Sequence, residues 1–523
     1  MLSPAADNNP GVPSPDALRL RDEFSGCAWS VPMTALAPEA LEGTVSIGIR
    51  TSRGWALALT SVASLMVALD ALVVTTALST IRVHLHASIE SLEWTVNAYN
   101  LSFAVFLMTG AALGDRWGRR RLFVIGIALF TAASAACALS SSVDWLIAAR
   151  AVQGIGAAMV MPLAMALLSA AFPAERRPWA FGIFSSITGV AVLGGPLIGG
   201  AVTQGLAWQW IFWLNVPLGA ALIPLVLRRI PPSAGTGGAL DPLGLVLSIG
   251  GALGLVWGLV RGNSSGWGSA QVVGSLAGGL VLGAAFVAWE ARARHPLLSL
   301  RLFRSRGFSA GNASAFLMYA ALYGTVFFMA QYLQAGLGYG PLGAGLRLAP
   351  WTATLFVIAP ASGGLVHRFG VRPLIAAGLA GQAAGMGWLA LVVHAGLPYP
   401  DLIAPMVLAG AGISVAMPAA QTGVMGAVAP REAGQASAAF NMLRQLGGVF
   451  GIAVLVAVFA AGGGYGSSRT FAHGFAAALG AAAALSLAGA FAGLAIPSRR
   501  TQTAPAEPVT APVPASSGAA GGR

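Results

Sequence analysis

The sequence predicts an all-α polytopic membrane protein with fourteen membrane-spanning helices. Hydrophobic residues make up 56% of the 523 residues, and charged residues only 9%. The mean hydropathy is +0.75, and apolar stretches long enough to cross a bilayer recur along the chain. Because a soluble domain normally carries about 25% charged residues, this composition excludes an ordinary soluble enzyme and a disordered scaffold.

The predicted spans follow from apolar stretches of about 20 residues, the length of a helix that crosses a hydrocarbon layer ~30 Å thick. The 69 Gly residues are compatible with this reading, since small residues let membrane helices approach each other closely. In chain order the spans lie near 55–80, 92–113, 121–140, 145–168, 179–203, 209–227, 242–261, 270–289, 308–334, 343–366, 372–394, 401–425, 434–461 and 471–496.

The basic residues fix the predicted orientation. The chain has no Lys, and 23 of its 29 Arg residues fall in the tails and in every second loop. This asymmetry follows the positive-inside rule, so we expect a multi-pass protein of the cytoplasmic membrane with both termini in the cytoplasm. It also explains the pI near 11 without nucleic acid. Residues 1–50 do not read as a cleaved signal peptide, and Cys27 and Cys137 give neither a disulfide framework nor a metal spacing.

An internal repeat divides the predicted chain. The loop 114–121 (GDRWGRRR) has a fainter copy at 366–372 (VHRFGVR), at the same place in the order of spans. Parallel six-span halves are how many secondary transporters are built, although a short basic turn can also recur by chance. The predicted organisation is a disordered tail (1–52), a six-helix bundle (53–229), two extra helices with linkers (230–300), a second six-helix bundle (301–497) and a second disordered tail (498–523).

Several motifs together carry a family resemblance. They are Leu69-Asp70 with Val73-Val74, Trp94 with Tyr99, the loop 114–121, Leu146 and Arg150 with the run 153–158 (QGIGAA), the run 195–200 (GPLIGG), the run 208–219 (WQWIFWLNVPLG), Asp241, and the run 444–448 (RQLGG). On these residues the chain resembles the fourteen-span drug:proton antiporters of the major facilitator superfamily (EmrB/QacA type). The motifs span roughly residues 50–497.

The resemblance implies the major facilitator fold and proton-coupled efflux of multiple drugs or antibiotics by alternating access. It implies a monomeric transporter rather than an enzyme, with a lipophilic small molecule, protons and the lipid bilayer as partners and no cofactor, metal or nucleic acid. The absence of a P-loop or a nucleophile–His–acid set agrees with this. A dedicated exporter or importer of one metabolite, or a non-transporting receptor or scaffold, stays open because a fold alone does not fix function.

Asp70 is, on this reading, the only carboxylate deep inside a span. A charged Asp at mid-helix costs about 2.5–3.5 kcal/mol, so its presence needs a reason. Arg150 of the fourth span lies at similar depth, counted at about 1.5 Å per residue, and we infer that the two can meet. The resemblance links this acid and this Arg to proton coupling; the alternative is a static ion pair that fixes helix packing.

Two further motifs predict moving parts. The loop residues Asp115, Arg116, Gly118, Arg119 and Arg120 form a candidate gating loop, because a charge cluster can latch one conformation and release it in another; the alternative is that the Arg residues only set the topology. The fifth span carries a candidate antiporter motif that combines a backbone kink with close packing, and its alternative is a generic kink. This motif comprises Gly195, Pro196, Gly199 and Gly200.

The substrate-binding candidates are polar and aromatic residues expected to face a cavity between the halves, since aromatic faces can hold lipophilic or cationic molecules. For each of them, packing or lipid contact is the competing explanation. Arg444 is a further candidate that can instead contact carbonyls, Gln445 or Asn441. The candidates are Asn97, Asn100, Tyr319, Tyr323, Gln331, Gln334, Gln421 and Arg444.

Overall fold

A computed structural model describes residues 38–173, 176–233, 241–294, 296–429 and 432–497. The contacts given below lie within the compact unit Ser52–Arg523, and Met1–Thr51 forms the other unit. The predicted tails lie outside the described residues except for 38–52, which belong to the first helix. Throughout the described ranges the chain is helical, without a β-strand.

Seven helices make up the first part of the chain. Serine side chains cap two of them, since Ser88 accepts a hydrogen bond from the Ser91 backbone N–H and Ser142 accepts one from that of Trp145, which satisfies a donor that the helix leaves unpaired. The helices are α1 (Pro38–Leu85), α2 (Ile89–Trp117), α3 (Arg119–Ala138), α4 (Val143–Ala171), α5 (Arg177–Gly205), the short α6 (Trp210–Trp213) and α7 (Asn215–Arg229).

Nine helices follow. Two form a central hairpin, α8 (Pro242–Ser265) and α9 (Ala270–Glu290), with Asp241 capping the first of them. A 3₁₀ turn at Leu300–Arg304 precedes the second half of the chain, and a π-helical turn at Tyr332–Gly336 extends its first long helix. The remaining helices are α10 (Arg306–Gln331), α11 (Pro341–Arg347), α12 (Ala349–Phe369), α13 (Val371–Val392), α14 (Pro400–Gly426), α15 (Ala433–Gly462) and α16 (Ser468–Leu494).

The hydropathy reading of the spans is supported for most of the chain. Among the described residues, 12 helical segments are long and apolar enough to cross a membrane. These segments include α8 and α9, and one of them joins α6 and α7 as Trp210–Arg229. The two other predicted spans, 179–203 and 343–366, fall largely on α5 and α12, helices of 29 and 21 residues. The count of fourteen therefore stays a prediction.

The same pattern of helix contacts occurs twice. In the first half α4 packs on α2 and α3, and α7 packs on α3; in the second half α14 packs on α12 and α13, and α16 packs on α13. Contacts between the halves run from α2 to α15 and from α5 to α11 and α12, while α8 packs on both α2 and α15. Each half is thus a bundle of its own, and the hairpin α8–α9 is attached by α8 where the two bundles meet.

The two loop motifs of the repeat have the same backbone geometry. Gly118 separates α2 from α3 with φ +99°, and Gly370 separates α12 from α13 with φ +85°. Side chains with a Cβ rarely adopt this region of backbone space, so glycine is the residue that permits the tight turn at both places. The fainter sequence copy at 366–372 therefore occupies a matching structural position.

Candidate functional site

Asp70 and Arg150 lie in contact in the interior of the first bundle. Asp70 comes from α1 and Arg150 from α4, and each residue is only 1% exposed. Arg150 Nη1 donates to Asp70 Oδ2 at 2.5 Å. Such a charge-assisted contact is short and strong because water is excluded from around it. The depth argument from the sequence thus matches where the structure places both residues.

Two amides complete the surroundings of the Asp70 carboxylate. Gln153 Nε2 and Asn215 Nδ2 both donate to Asp70 Oδ1, at 2.9 Å and 2.8 Å. Both amides also donate to Ser134 Oγ on α3, at 3.2 Å and 3.0 Å. Helices α4 and α7 therefore bond the carboxylate of α1, α3 is joined to it through the two amides, and each carboxylate oxygen is hydrogen-bonded.

Arg150 has partners beyond Asp70. Its Nε donates to the Thr95 carbonyl of α2 at 3.1 Å, and its Nη1 also donates to Gln153 Oε1 at 2.8 Å. The guanidinium lies 4.1 Å from the centre of the Tyr99 ring, a cation–π contact that gains strength where water is excluded. Arg150 can therefore keep several favourable contacts while Asp70 changes its charge.

Sequence reasoning missed three members of this site: Gln153, Asn215 and Ser134. Gln153 and Asn215 stand inside motifs that already carried the family resemblance, and that placement was the available signal. Sequence reasoning also passed over a buried carboxylate near the start of a span. Glu93 of α2 is fully buried as well; because it stands at the edge of the apolar stretch 92–113, the hydropathy pattern did not mark it as interior.

The candidate gating loop lies at the end of the bundle predicted to be cytoplasmic. Asp115 Oδ1 accepts from Arg119 Nε at 2.8 Å, one helical turn away. Arg120 Nη1 donates to the Ile230 carbonyl at 2.9 Å, which ties the start of α3 to the segment after α7. A Cβ on Gly118 would lie 2.5 Å from the Ser233 carbonyl oxygen. Arg116 is exposed.

The fifth-span motif lies between the two bundles. A Cβ on Gly195 would lie 2.6 Å from the Leu72 Cβ of α1. On the opposite side, a Cβ on Gly200 would lie 2.5 Å from the Pro341 carbonyl oxygen of α11. The small residues of α5 thus allow it to touch α1 of its own bundle and α11 of the other. Gly199 packs on α1 as well, at the Val73 carbonyl, and Pro196 faces Gly345 of α11.

Three substrate candidates cluster in the second bundle. The rings of Tyr319 and Tyr323 on α10 lie 5.8 Å apart, and the Arg444 guanidinium lies 5.5 Å from the Tyr319 ring centre. Tyr323 Oη donates to Gln445 Oε1 at 3.3 Å. Within the described chain Arg444 Nε has no hydrogen-bond partner, and Asn441 donates to the Ser437 carbonyl instead. Arg444 therefore faces the tyrosines rather than the amides expected from its sequence neighbours.

The other candidates occupy four different surroundings. Gln331 is fully buried, donates to the Phe327 carbonyl and accepts from the Tyr465 hydroxyl. Gln334 Nε2 donates to the Thr76 carbonyl at 2.9 Å, across the boundary between the bundles. Asn97 and Asn100 are buried on α2, whereas Gln421 is exposed. The structure thus does not bring all the candidates together in one pocket.

A cavity of about 470 Å³ lies between α2, α4 and α8. Trp94 and Trp257 line it with ring centres 5.8 Å apart, and Glu90 and Arg261 face each other at 3.9 Å. The remaining lining is mostly apolar. In the ranges that the structure describes, no three His, Cys, Asp or Glu side chains come together to hold a metal ion.

Membrane-length helices in two matching bundles, with a buried charge pair in one of them, are the architecture of a polytopic membrane transporter. A profile of the Major Facilitator Superfamily matches residues 60–452. The chain belongs to this superfamily.

Comparison with known proteins gives relatives over most of the length. The chain is 37% identical over 423 residues to the tetracenomycin C resistance and export protein of Streptomyces glaucescens, which covers 80% of this chain and 78% of the relative. It is 38% identical over 415 residues to the cephamycin export protein CmcT of Amycolatopsis lactamdurans (78% and 85%), and 33% identical over 424 residues to the multidrug efflux pump LfrA of Mycolicibacterium smegmatis (80% and 84%).

Solved structures show the same fold. A bacterial homologue of the human lysosomal transporter Spinster, in an inward-facing and unoccupied conformation, superposes with a TM-score of 0.62 at 18% identity. The match covers 85% of this chain and 97% of that one. A POT family transporter in complex with a thioalcohol-conjugated peptide gives a TM-score of 0.64 at 14% identity, covering 84% and 95%. At these identities the likeness concerns the fold alone.

Proposed function

We propose that the protein is a proton-coupled exporter of lipophilic drugs or antibiotics in the cytoplasmic membrane. The single observation that carries this proposal is the buried Asp70–Arg150 pair. A titratable charge inside the membrane is costly and is usually kept for function. Relatives named as antibiotic export proteins and a multidrug efflux pump support the substrate class.

The chemistry of the pair suits proton exchange. When a proton binds to Asp70, the carboxyl becomes neutral and its attraction to Arg150 falls. Arg150 keeps the Thr95 carbonyl, the Gln153 amide oxygen and the Tyr99 ring as partners. Breaking a buried ion pair from one side typically costs about 3–5 kcal/mol. Protonation of Asp70 can therefore change the free-energy difference between two arrangements of the helices by an amount of this order, which is enough to shift their populations.

The boundary between the bundles supplies the moving contact. Gly200 of α5 packs on α11, and Gln334 donates to Thr76 of α1. With the predicted orientation these contacts lie at the outer end of the molecule, so this arrangement is closed toward the outside. Substrate would then enter from the cytoplasm or the inner leaflet and leave after α5 and α11 separate, with both termini cytoplasmic.

We further propose that α5 and α12 complete a set of fourteen spans, with α8 and α9 as the extra pair. Their lengths of 29 and 21 residues are sufficient to cross a bilayer. An even number of spans also preserves the alternation of the basic loops. The arrangement needs no second subunit to complete the buried charge pair, so we expect a monomer to be sufficient.

Inverted membrane vesicles test the function directly. Uptake of ethidium and of a panel of lipophilic antibiotics is measured with and without a pH gradient. Vesicles that contain the wild-type protein should accumulate at least one of the compounds only when the gradient is present. Asp70→Asn should reduce this uptake to background at normal protein level, because the amide cannot exchange a proton.

Asp401→Asn is the matched control, since Asp401 lies exposed at the start of α14, and it should transport like wild type. Gradient-independent transport by the wild type, or unchanged transport by Asp70→Asn, would refute proton coupling. Absence of transport across the panel would instead favour a dedicated carrier of one metabolite or a non-transporting receptor.

A further inference from the structure

Glu93 is a second buried carboxylate that the Asp70–Arg150 site does not use. It lies on α2 and has no exposed surface. Its Oε1 accepts a hydrogen bond from Asn97 Nδ2 at 3.1 Å. Glu93 Oε2 and Asn97 Oδ1 are both buried, and neither finds a hydrogen-bond partner within the described chain. Two neighbouring acceptors therefore lack a donor.

No basic side chain of the described chain forms an ion pair with Glu93. On its own helix, Glu90 precedes it by one turn and adds a negative charge. The basic residues of the surrounding helices have other contacts: Arg150 of α4 with Asp70, Arg261 of α8 with Glu90, Arg82 of α1 with the Tyr465 ring, and Arg444 of α15 with the Tyr319 ring. An ionised carboxylate buried without a cation is strongly unfavourable, so this arrangement calls for a proton.

Glu93 lies close in depth to the charge pair. Arg150 Nε donates to the Thr95 carbonyl, and Glu93 precedes Thr95 by two residues, about 3 Å along the helix axis. Asn97 and Asn100 follow on the same face of α2 at helical spacing, and both are buried. Polar side chains therefore continue from Glu93 toward the middle of the helix. A water path that reaches the depth of Asp70 from the start of α2 passes the level of Glu93.

The position of α2 connects Glu93 to the moving boundary. Helix α2 packs on α15 of the second bundle and on α8. The residues Leu101 and Val105 belong to an apolar cluster with Val449 and Ala453 of α15. Leu101 follows Glu93 by eight residues, about 80° further around the helix, so the α15 contact lies beside the face that carries Glu93. When the bundles move apart along this contact, water gains access to this side of α2, and an ionised Glu93 can be hydrated.

We propose that Glu93 binds a second transported proton, so that two protons are exchanged in each cycle. This inference rests on the proposed proton-coupled export and extends it. Asp70 carries the proton that controls the Arg150 contact. Glu93 is neutral while α2 and α15 are in contact, and it exchanges its proton when they separate.

Infrared difference spectroscopy of the purified full chain in nanodiscs tests the proton directly, with pH as the only variable. At neutral pH the wild type should show the carbonyl band of a buried neutral carboxyl. Glu93→Gln should lose this band, and Asp70→Asn should keep it. Glu90→Gln is the matched control one turn away and should also keep it. Persistence of the band in Glu93→Gln would overturn the inference. Loss of the band in Asp70→Asn would also overturn it, and this second measurement does not depend on the folding of Glu93→Gln.

Transport stoichiometry gives the second test, with ethidium as the probe in proteoliposomes. At zero membrane potential a pH gradient of about one unit allows a limiting concentration ratio near 100-fold for two protons and near 10-fold for one. Wild type should approach the first value and Glu93→Gln the second. Equal limits for both proteins would overturn the inference, as would a defect of Glu93→Gln confined to cationic compounds at unchanged stoichiometry. Unchanged transport by Asp70→Asn would instead refute the proposed function.

Discussion

Gly200→Ala should weaken the contact between the two bundles. The added methyl group would lie 2.5 Å from the Pro341 carbonyl oxygen and 2.8 Å from Leu342 Cα. Both atoms belong to backbone and cannot rotate away, so α5 and α11 must separate. Inserting a methyl group into a well-packed contact typically costs about 1–3 kcal/mol. This lowers the equilibrium constant that favours the state with α5 on α11 by about 5- to 150-fold and so reduces the population of that state.

Crosslinking measures this population. Gln204 Oε1 accepts from the Leu342 backbone N–H at 3.1 Å, so cysteines at these two positions report the contact when Cys27 and Cys137 are replaced by Ala. A short bifunctional reagent should link them efficiently in the parent protein and clearly less in Gly200→Ala.

Gly205→Ala is the control for this prediction. It places the same methyl group on the same helix, where no heavy atom lies within 4 Å, and it should crosslink like the parent. If Gly200→Ala crosslinks and transports as well as Gly205→Ala does, the reasoning from α5–α11 packing is wrong.

Two further substitutions test the first bundle. Asn215→Leu removes the donor to Asp70 and to Ser134. Since a hydrogen bond to a charged group contributes about 1.5–3 kcal/mol, the melting temperature in detergent should drop, whereas the exposed control Asp401→Asn should not change it. Equal melting temperatures for the two variants would contradict the hydrogen bonding described. Both Gly118 and Gly370 have positive φ, and this left-handed backbone costs a residue with a Cβ about 1–2 kcal/mol. Gly118→Ala should destabilise the fold more than Gly370→Ala does, because only at Gly118 would the Cβ also meet the Ser233 carbonyl. Thermal unfolding of the two variants side by side decides this, and an equal loss would mean that the Ser233 contact yields easily.

Hydropathy and loop charge predicted the helices because the bilayer imposes both signals on the sequence. Apolar length is set by membrane thickness, and the turns at Gly118 and Gly370 are marked by glycine between basic residues. The same rule predicts spans over α5 and α12, and these two stay predictions. The superfamily, too, was readable from the motifs around Asp70, Gly114–Arg121 and Gly195–Gly200.

The rotation of each helix about its own axis was much harder to predict. In a soluble helix the polar face points to water, but in a membrane both the lipid face and the core face are apolar, so periodicity carries little information. That is why Gln331, Gln421 and Tyr319 all looked alike as cavity residues, although they occupy different surroundings. For Glu93 the difficulty was its place at the end of a span, where a carboxylate reads as a surface residue.

The hydrogen bonds around Asp70 have a mechanical consequence. Side chains of α4 and α7 bond the Asp70 carboxylate of α1, α3 joins through Ser134 and α2 through Arg150. None of these helices can slide past the others without breaking contacts of this network. The first bundle should therefore move as a rigid body. The conformational change needed for transport would then take place at its interface with the second bundle.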